Sequence, residues 1–429
     1  MQRFRCVGTT CEDTCCRDFG IDIDRSTLDR MRAAAPTIAA REKVIRLVVL
    51  GMRQPGGQPS PNMVQLDDHG GCPMLDPDGG CGVHRQHGET MLSTTCSVFP
   101  RTSLAVEERL EVTGSLACPE LARLSLLSKD GLEQDAPVEP VLPRAYVGKG
   151  IRSTAGDIYA STFTRTREVL IELFRHEEYS LGARFAFAAT LAADVDPFFR
   201  RDADAVGVAE GHLLRRRLEV ELTNAARAET LAALDSDLAT LPDSPAAVIA
   251  FAATMLTERL RLTHASRFGA LVRGALARVG MDQAGGEGLD PVRAGGVLRE
   301  RRAAFERLAP GLMDRILGRY VRHHLLRNPY TERASLLVYL NRLGRDLAAL
   351  RLLWLCSPRL DELVQAPPQE DAADGALAAS AISEAGIETI QSYAKAVSHN
   401  VEFLNALHDG DEEPGAVRFG SLILLSRFV

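Results

Sequence analysis

The sequence predicts a mainly α protein: a small, loop-rich N-terminal cysteine-cluster domain followed by a multi-helix body. Three observations predict it. Eight of the nine cysteines lie between Cys6 and Cys118, the stretch that carries them is broken by turn signals, and beyond residue 150 the chain turns to Ala, Leu and Arg with helically spaced apolar positions. At 429 residues the chain is too long for one core, so more than one domain is expected. The prolines Pro137, Pro140 and Pro143 place the division near residue 135, giving a metal-binding part over 1–135 and a helical part over 136–429, which is expected to bind substrate.

Composition narrows the function classes. With 45% hydrophobic and 25% charged residues and no run of ~20 apolar residues, no membrane span is expected. Met1-Gln2-Arg3-Phe4-Arg5-Cys6 has no apolar leader core, so a cytoplasmic location is expected. A net charge of -7 gives no general drive toward nucleic acid. Basic charge is nearly all arginine; Lys43, Lys129, Lys149 and Lys395 are the four lysines. The runs Arg215-Arg216-Arg217 and Arg299-Glu300-Arg301-Arg302 read as solvated helix faces.

In the N-terminal part, Ser26 to Met52 reads as helical with a break at Pro36, and Pro55-Gly56-Gly57, Gly70-Gly71 and Asp76-Pro77-Asp78-Gly79-Gly80 read as turns. Such a domain buries little apolar surface, so bound metal is expected to hold it together. A helix is expected after Asp157, with Ile158, Phe163, Val169, Leu170, Leu173 and Phe174 on one face. Further helices are expected over Arg184 to Ala193, Glu210 to Leu241, Ala246 to Val279, Pro291 to Leu308, Leu312 to Arg327, Glu332 to Cys356 and Ala376 to His408. Breaks fall at Pro197, Pro242, Gly285-Gly286 and Pro367-Pro368. No alternation of strand and helix suggests a doubly wound sheet.

The cysteines run Cys6-x4-Cys11-x3-Cys15-Cys16, then Cys72-x8-Cys81-x14-Cys96, then x21-Cys118. They sit among Gly, Asp, Thr and Pro rather than in an apolar run, and a disulfide framework fits poorly with a leaderless chain. Metal ligation is the expectation for the eight, as two four-cysteine clusters or as one cluster with spare cysteines. Zinc sites usually show paired, tight Cys knuckles, whereas this spacing favours iron-sulfur, with zinc as the alternative. Gly71 beside Cys72, and Gly80 and Gly82 around Cys81, are expected to bring backbone N–H groups toward cluster sulfides. Cys15 and Cys16, being adjacent, are expected to serve different iron atoms or different sites. Cys356, in an apolar run, reads as a buried core thiol.

Phe4-Arg5-Cys6, Cys11-Glu12-Asp13, Cys15-Cys16, Gly71-Cys72-Pro73, Gly80-Cys81, Leu92-Ser93, Cys96, Phe99-Pro100-Arg101 and Cys118-Pro119-Glu120 together resemble the flagellin lysine-N-methylase family. That family is built around a CxxCxxCC-type zinc/iron-chelating domain; the first spacings here are x4 and x3. The match is ordered over the first ~125 residues. Arg315 to Asn328, with Tyr320 and His323-His324, and Ile387 to Asn400, ending Ser398-His399-Asn400, resemble helical segments of the same family. The resemblance implies transfer of methyl groups from S-adenosylmethionine to flagellin lysines, with an iron-sulfur cluster, 4Fe-4S, as cofactor, and is compatible with radical chemistry.

No Gly-rich turn after a strand offers a nucleotide site; Gly285-Gly286-Glu287-Gly288 reads as a loop. Cys11-x3-Cys15 is not continued by a third cysteine at the spacing radical enzymes use, since Asp18 stands there. Under the enzymatic reading, one open iron position would take the amino-carboxylate end of the donor. Arg101 would pair with the donor carboxylate or with the cluster's negative charge; a structural ion pair is its alternative. Glu12 and Asp13 either attract the substrate ammonium or cap a turn. His84 and His87 read as surface residues, and His399 as a packing residue that could also meet substrate. The competing reading is a zinc-stapled, non-catalytic adaptor.

Overall fold

The helix Leu336–Leu355 is the hub of the body. Ser335 opens it by accepting the Val338 N–H at 3.2 Å, and from Leu347 to Leu355 every residue is buried, as expected of a helix surrounded on all sides. It packs against Leu181–Phe199, Ala246–Arg261, Ala372–Tyr393 and Phe419–Phe428. The structure is a computed structural model that describes residues 3–35, 37, 48–49, 62–64, 66–133, 149–152, 158–199, 208–225, 228–241, 246–263, 266–281, 290–365, 372–413 and 417–428. The fold is mainly α, as the sequence predicts. Among the described residues no helix is long and apolar enough to cross a membrane.

Charge is used inside this body as a tie. Asp314 is buried, accepts the Leu181 N–H at 3.0 Å and pairs with Arg351, whose guanidinium also donates to the Phe428 carbonyl at 3.0 Å. Arg184, fully buried, donates to the carbonyls of Phe174 and Asp314, both at 3.1 Å. Burying a charge is tolerated only with partners, and here the partners join four helices.

Several predicted helices have the expected limits: Pro291–Leu308 begins on a proline at its first position, and Leu312–Arg327 follows Gly311, which is left-handed with φ 63°. Others differ. The run from Glu210 is two helices, Val208–Ala225 and Ala228–Thr240, and that from Ala246 is also two, Ala246–Arg261 and Ser266–Arg278. Helix Leu181–Phe199 passes through Pro197, because the preceding Val195 and Asp196 are anchored in the core and a proline there costs one hydrogen bond in the final turn. The expected C-terminal run is Ala372–Tyr393, a π turn over Ala394–Ser398, and a short helix Val401–Leu407 capped by Asn400. Phe419–Phe428, not anticipated, buries Leu422, Leu425 and Phe428 on one face. Arg301, read as solvated, is buried and donates to the Leu355 carbonyl and to Asp361.

The N-terminal part holds more regular structure than its turns suggest. Strands β1 (Asp22–Ile23), β2 (Val48–Val49) and β3 (Asn62–Val64) form an antiparallel sheet in the order β1-β3-β2. Helix Arg25–Ala34 covers it, and Ile21, Ile23, Leu28, Met31 and Val64 make a small core against which Cys72 and Cys96 pack. Helix Arg25–Ala34 ends just before the break expected at Pro36, whereas Val48 and Val49, β-branched and expected to be helical, are a strand; positions 38–47 lie outside the described residues. A hairpin of β4 (Arg101–Val106) and β5 (Arg109–Gly114), joined by β6 (Lys149–Ile151) parallel to β4, places Leu104, Val106 and Ile151 in the core of the helical body. The expected breaks at Pro55-Gly56-Gly57, Asp135 to Pro143, Pro242, Gly285-Gly286 and Pro367-Pro368 lie outside the described residues, as does the glycine loop at Gly288.

The packing at Trp354, the single tryptophan, makes a testable point. Its ring is fully buried, its Nε1–H donates to the Ile382 carbonyl at 2.9 Å, and a Cβ on Gly386 would overlap it. Gly386→Ala should cost about 1–3 kcal/mol in urea unfolding and shift Trp354 fluorescence to longer wavelength. An unchanged midpoint and spectrum would show that the ring has room to move.

Candidate metal centre

Backbone pairing gathers the cysteines. The Cys72 N–H donates to the Cys16 carbonyl at 2.8 Å, the Asp18 N–H donates to the Gly70 carbonyl at 2.8 Å, and a bridge between Leu75 and Cys81 closes the intervening turn. Cys96 arrives on helix Thr94–Val98, capped by Ser93 and tied to the first helix because Asp24 accepts both the Thr27 and the Thr94 N–H groups. Hydrogen bonds to Ser26, Thr27 and Thr94 outweigh burial and hold the Asp24 carboxyl far below the usual carboxylate range. Cys118 caps helix Pro119–Leu126, whose Arg123 reaches back to Glu12.

Two groups of thiols result. Cys16, Cys72, Cys81 and Cys96 lie within electrostatic reach of one another; Cys118 lies within reach of Cys6 and Cys11; and Cys15 feels Cys16, Cys96 and Cys6. Among the described residues no group of three or more His, Cys, Asp or Glu side chains is spaced to hold a metal ion.

Cys6 accepts the Gly8 N–H at 3.4 Å, and backbone N–H groups of Asp13, Met74, His84 and Leu121 stand near enough to Cys11, Cys72, Cys81 and Cys118 to favour their thiolates. Such N–H groups stabilise a bound thiolate. The glycines beside Cys72 and Cys81 have their own N–H groups engaged elsewhere. The N–H groups of Gly71 and Gly80 go to Asp67 and Asp78, that of Gly82 to the Met74 carbonyl, and a Cβ on Gly71 or Gly82 would meet Asp67 or Asp76 at 2.7 Å.

Burial keeps most of these thiols protonated, pushing Cys72 up to about 12 and Cys96 and Cys118 up to about 11. Cys16 moves the other way, because the neighbouring Cys15 thiol and Thr14 hydroxyl favour its thiolate and Lys395 stands nearby. That lysine escaped the sequence reading. Lys395 lies on the π turn and donates to Asp13 Oδ1 at 2.6 Å and to the Thr14 carbonyl at 3.1 Å; its side chain is 4% exposed and that of Asp13 10%. Gln391, one turn earlier, donates to Asp13 Oδ2 at 2.7 Å and to the Ala117 carbonyl at 2.9 Å. Both acidic residues thus hold the cysteine loop on the helical body, Asp13 through Lys395 and Glu12 through Arg123.

Arg101 begins β4 opposite Gly114 and makes no ion pair or hydrogen bond with any described residue. His84 and His87 are exposed, and Cys356 is a buried core thiol pushed up to about 12 by burial, as expected. His399 stands 2.6 Å from the Ser115 hydroxyl and packs on Phe19. His323 Nε2 lies 2.8 Å from the Gly114 carbonyl, which can only accept, so Nε2 carries the proton.

Fold and centre define a helical protein with a thiol-rich, cation-anchored N-terminal site. The chain belongs to the FliB lysine N-methylase family, whose C-terminal domain matches residues 167–425. It is 31% identical to the lysine-N-methylase of Salmonella typhimurium over 132 residues, covering 30% of this chain and 32% of that protein. Similarity to the Salmonella choleraesuis lysine-N-methylase is 30% over 131 residues, 30% of this chain and 31% of the relative. The flagellar biosynthetic protein FliU of Salmonella muenchen is 32% identical over 132 residues, 30% of this chain and 75% of that protein. The chain thus spans about a third of the length of the two lysine-N-methylases it matches. No solved structure matches it.

Two outcomes are expected. Lys395→Met, leaving Asp13 buried without its charge partner, should cost about 3–5 kcal/mol and open the 6–16 loop to hydrogen exchange, whereas adding Asp13→Asn should restore part of the loss. Wild-type protection in Lys395→Met would refute the tether. His323 is lowered to about 4 by burial, so between its unfolded value and pH 4 the unfolded chain binds the extra proton. The stability that His323 contributes, full above pH ~6.5, should therefore fall by about 2 kcal/mol at pH 5, beside similar losses from His324 and His399, which burial also lowers, and His323→Gln should lose correspondingly less in urea unfolding at that pH.

Proposed function

We propose that this protein is a lysine N-methyltransferase that acts on flagellin, takes its methyl group from S-adenosylmethionine and carries an iron-sulfur cluster on its N-terminal thiols. The observation that carries the reading is membership of the FliB lysine N-methylase family over 167–425, together with the names of the relatives that match the chain. Cys6, Cys11, Cys15, Cys16, Cys72, Cys81, Cys96 and Cys118 would supply the ligands, at most four thiols to one cluster, so that they would hold two clusters or one with cysteines to spare. The residues suit the group by their chemistry, all being thiols with Lys395 adding positive charge beside Cys16, while the sulfurs as they stand are not spaced for a metal ion and would have to draw together around it. When bound, such a cluster supplies electrons to the donor.

The chain's own residues supply position and charge. The Asp13–Lys395 and Glu12–Arg123 pairs fix the loop that bears four of the thiols. Arg101, without a partner among the described residues, is available to a negative charge on the donor or the cluster. Each raised thiol must give up a proton as metal enters, so loading should release protons and strengthen with pH.

Anaerobically purified protein should contain iron and sulfide, and with S-adenosylmethionine and a reductant it should add methyl groups to flagellin lysines, read by mass spectrometry. Cys16→Ser should lower iron content and abolish transfer. Stoichiometric zinc in a colourless protein, with flagellin mass unchanged, would replace this reading with a zinc-stapled adaptor. Transfer that survives loss of iron would keep the methyltransferase and discard the cluster's role.

A further inference from the structure

On the other side of the wall that carries Lys395 and Cys118 lies a cavity of about 140 Å³. Leu116, two residues before Cys118, and Ala394 and Ser398, flanking Lys395 on the π turn, form part of its lining. Its polar groups are unusual for an interior. Arg327, at the end of helix Leu312–Arg327, lines the cavity, makes no ion pair or hydrogen bond with any described residue, and has its Nε wholly shielded from solvent. A buried guanidinium without a counter-charge is costly unless a ligand supplies one.

Asp346 lines the same cavity. Tyr393 donates to its Oδ1 at 2.6 Å, while Oδ2 takes no hydrogen bond from a described residue. Burial pushes its carboxyl up, while the Tyr393 hydroxyl and the nearby charges of His408, Arg342 and Arg333 pull the other way. Arg327 and Asp346 do not pair with each other, and Tyr320 lies within electrostatic reach of both. A cavity whose lining holds an unpaired guanidinium and a carboxylate with one oxygen free of hydrogen bonds from described residues matches a ligand that carries the opposite charges close together. The volume is of the order that holds a benzene-sized molecule, enough for such a head group and too small for a nucleoside.

We infer that this cavity binds the zwitterionic head of an α-amino acid, its carboxylate on Arg327 and its ammonium on Asp346. The head belongs either to a free amino acid or to S-adenosylmethionine; the second source rests on the proposed function. It then binds to the protein rather than to an open iron position, which leaves Arg101 for the cluster's own charge.

Calorimetric titration of the full-length protein tests this. L-methionine should bind, and its methyl ester, which lacks the carboxylate, should bind about tenfold more weakly or less. Arg327→Met should lose about tenfold or more in methionine affinity, yet unfold at no lower temperature than wild type when ligand-free, since it removes an unpaired buried charge. Asp346→Asn should weaken methionine but not 3-methylthiopropionate, which has no ammonium. Tighter binding of S-adenosylmethionine than of methionine would identify the donor as occupant, and the reverse a free amino acid. Equal affinity for methionine and its ester, wild-type affinity in Arg327→Met, or binding of acetate and phosphate without amino acids would overturn the assignment. Flagellin methylation by an Arg327→Met enzyme that binds S-adenosylmethionine normally would sink this inference alone; absent methylation with Arg327-dependent methionine binding would sink the proposed function alone.

Discussion

The buried pair of Asp13 and Lys395 is the constraint on which the arrangement of the N-terminal site depends. Residues 6–16 contribute nothing to the core of the helical body or to the small N-terminal core, so no apolar burial holds them in place. What places them is a charge pair whose two ends are removed from water, with Gln391 and the Thr14 carbonyl satisfying the remaining hydrogen-bonding capacity. Isolated surface pairs seldom position anything, because water competes for both ends. This one is shielded, and it is continued by Glu12, Arg123 and Arg267, so that a loop without a core acquires one orientation. The thiols inherit that orientation.

The same stretch of chain faces two chemistries. From Ser115 to Cys118 the backbone leads from the hairpin into a helix, with Leu116 turned to the cavity and Cys118 to the other thiols. Opposite it, the π turn presents Lys395 to the cysteine loop and Ala394 and Ser398 to the cavity. Separation by a single layer of residues means that charge on one side is felt on the other with little water between, where electrostatic effects are strong.

Much of the helical body was legible. Pro291 at a first helical position, Gly311 as a left-handed break and Asn328-Pro329 after Arg327 are local signals, and local signals survive without knowledge of the tertiary fold. The β4–β5 hairpin was not legible, because its two-residue turn is Glu107-Glu108 rather than Asn-Gly, with Glu107 forced to φ 54°. Helix Phe419–Phe428 carries its signal in Leu422, Leu425 and Phe428, three residues apart on one face, in a stretch too short to stand out from the loop before it. The cysteines announced themselves by number and setting. Their anchor did not: Asp13 and Lys395 are separated by 382 positions, and charge complementarity at that distance leaves no periodicity to read. Arg101, chosen for its closeness to Cys96 in sequence, shows the limit from the other side, since the cation beside Cys16 comes from the far end of the chain.

The π turn at Ala394–Ser398 has a consequence for how the last helix is phased. Each residue of an α-helix advances the direction of its side chains by about 100°, so a turn that takes in one additional residue rotates everything after it by roughly that angle relative to everything before. Gln391 and Lys395 both reach Asp13 across this widened turn, while His399 is carried round to Ser115 and Phe19. Removing a single residue here would leave the helix intact as a rod and still point His399 and the chain beyond it away from their neighbours, so the spacing between positions 391 and 399 is as much a part of the site as the side chains it carries.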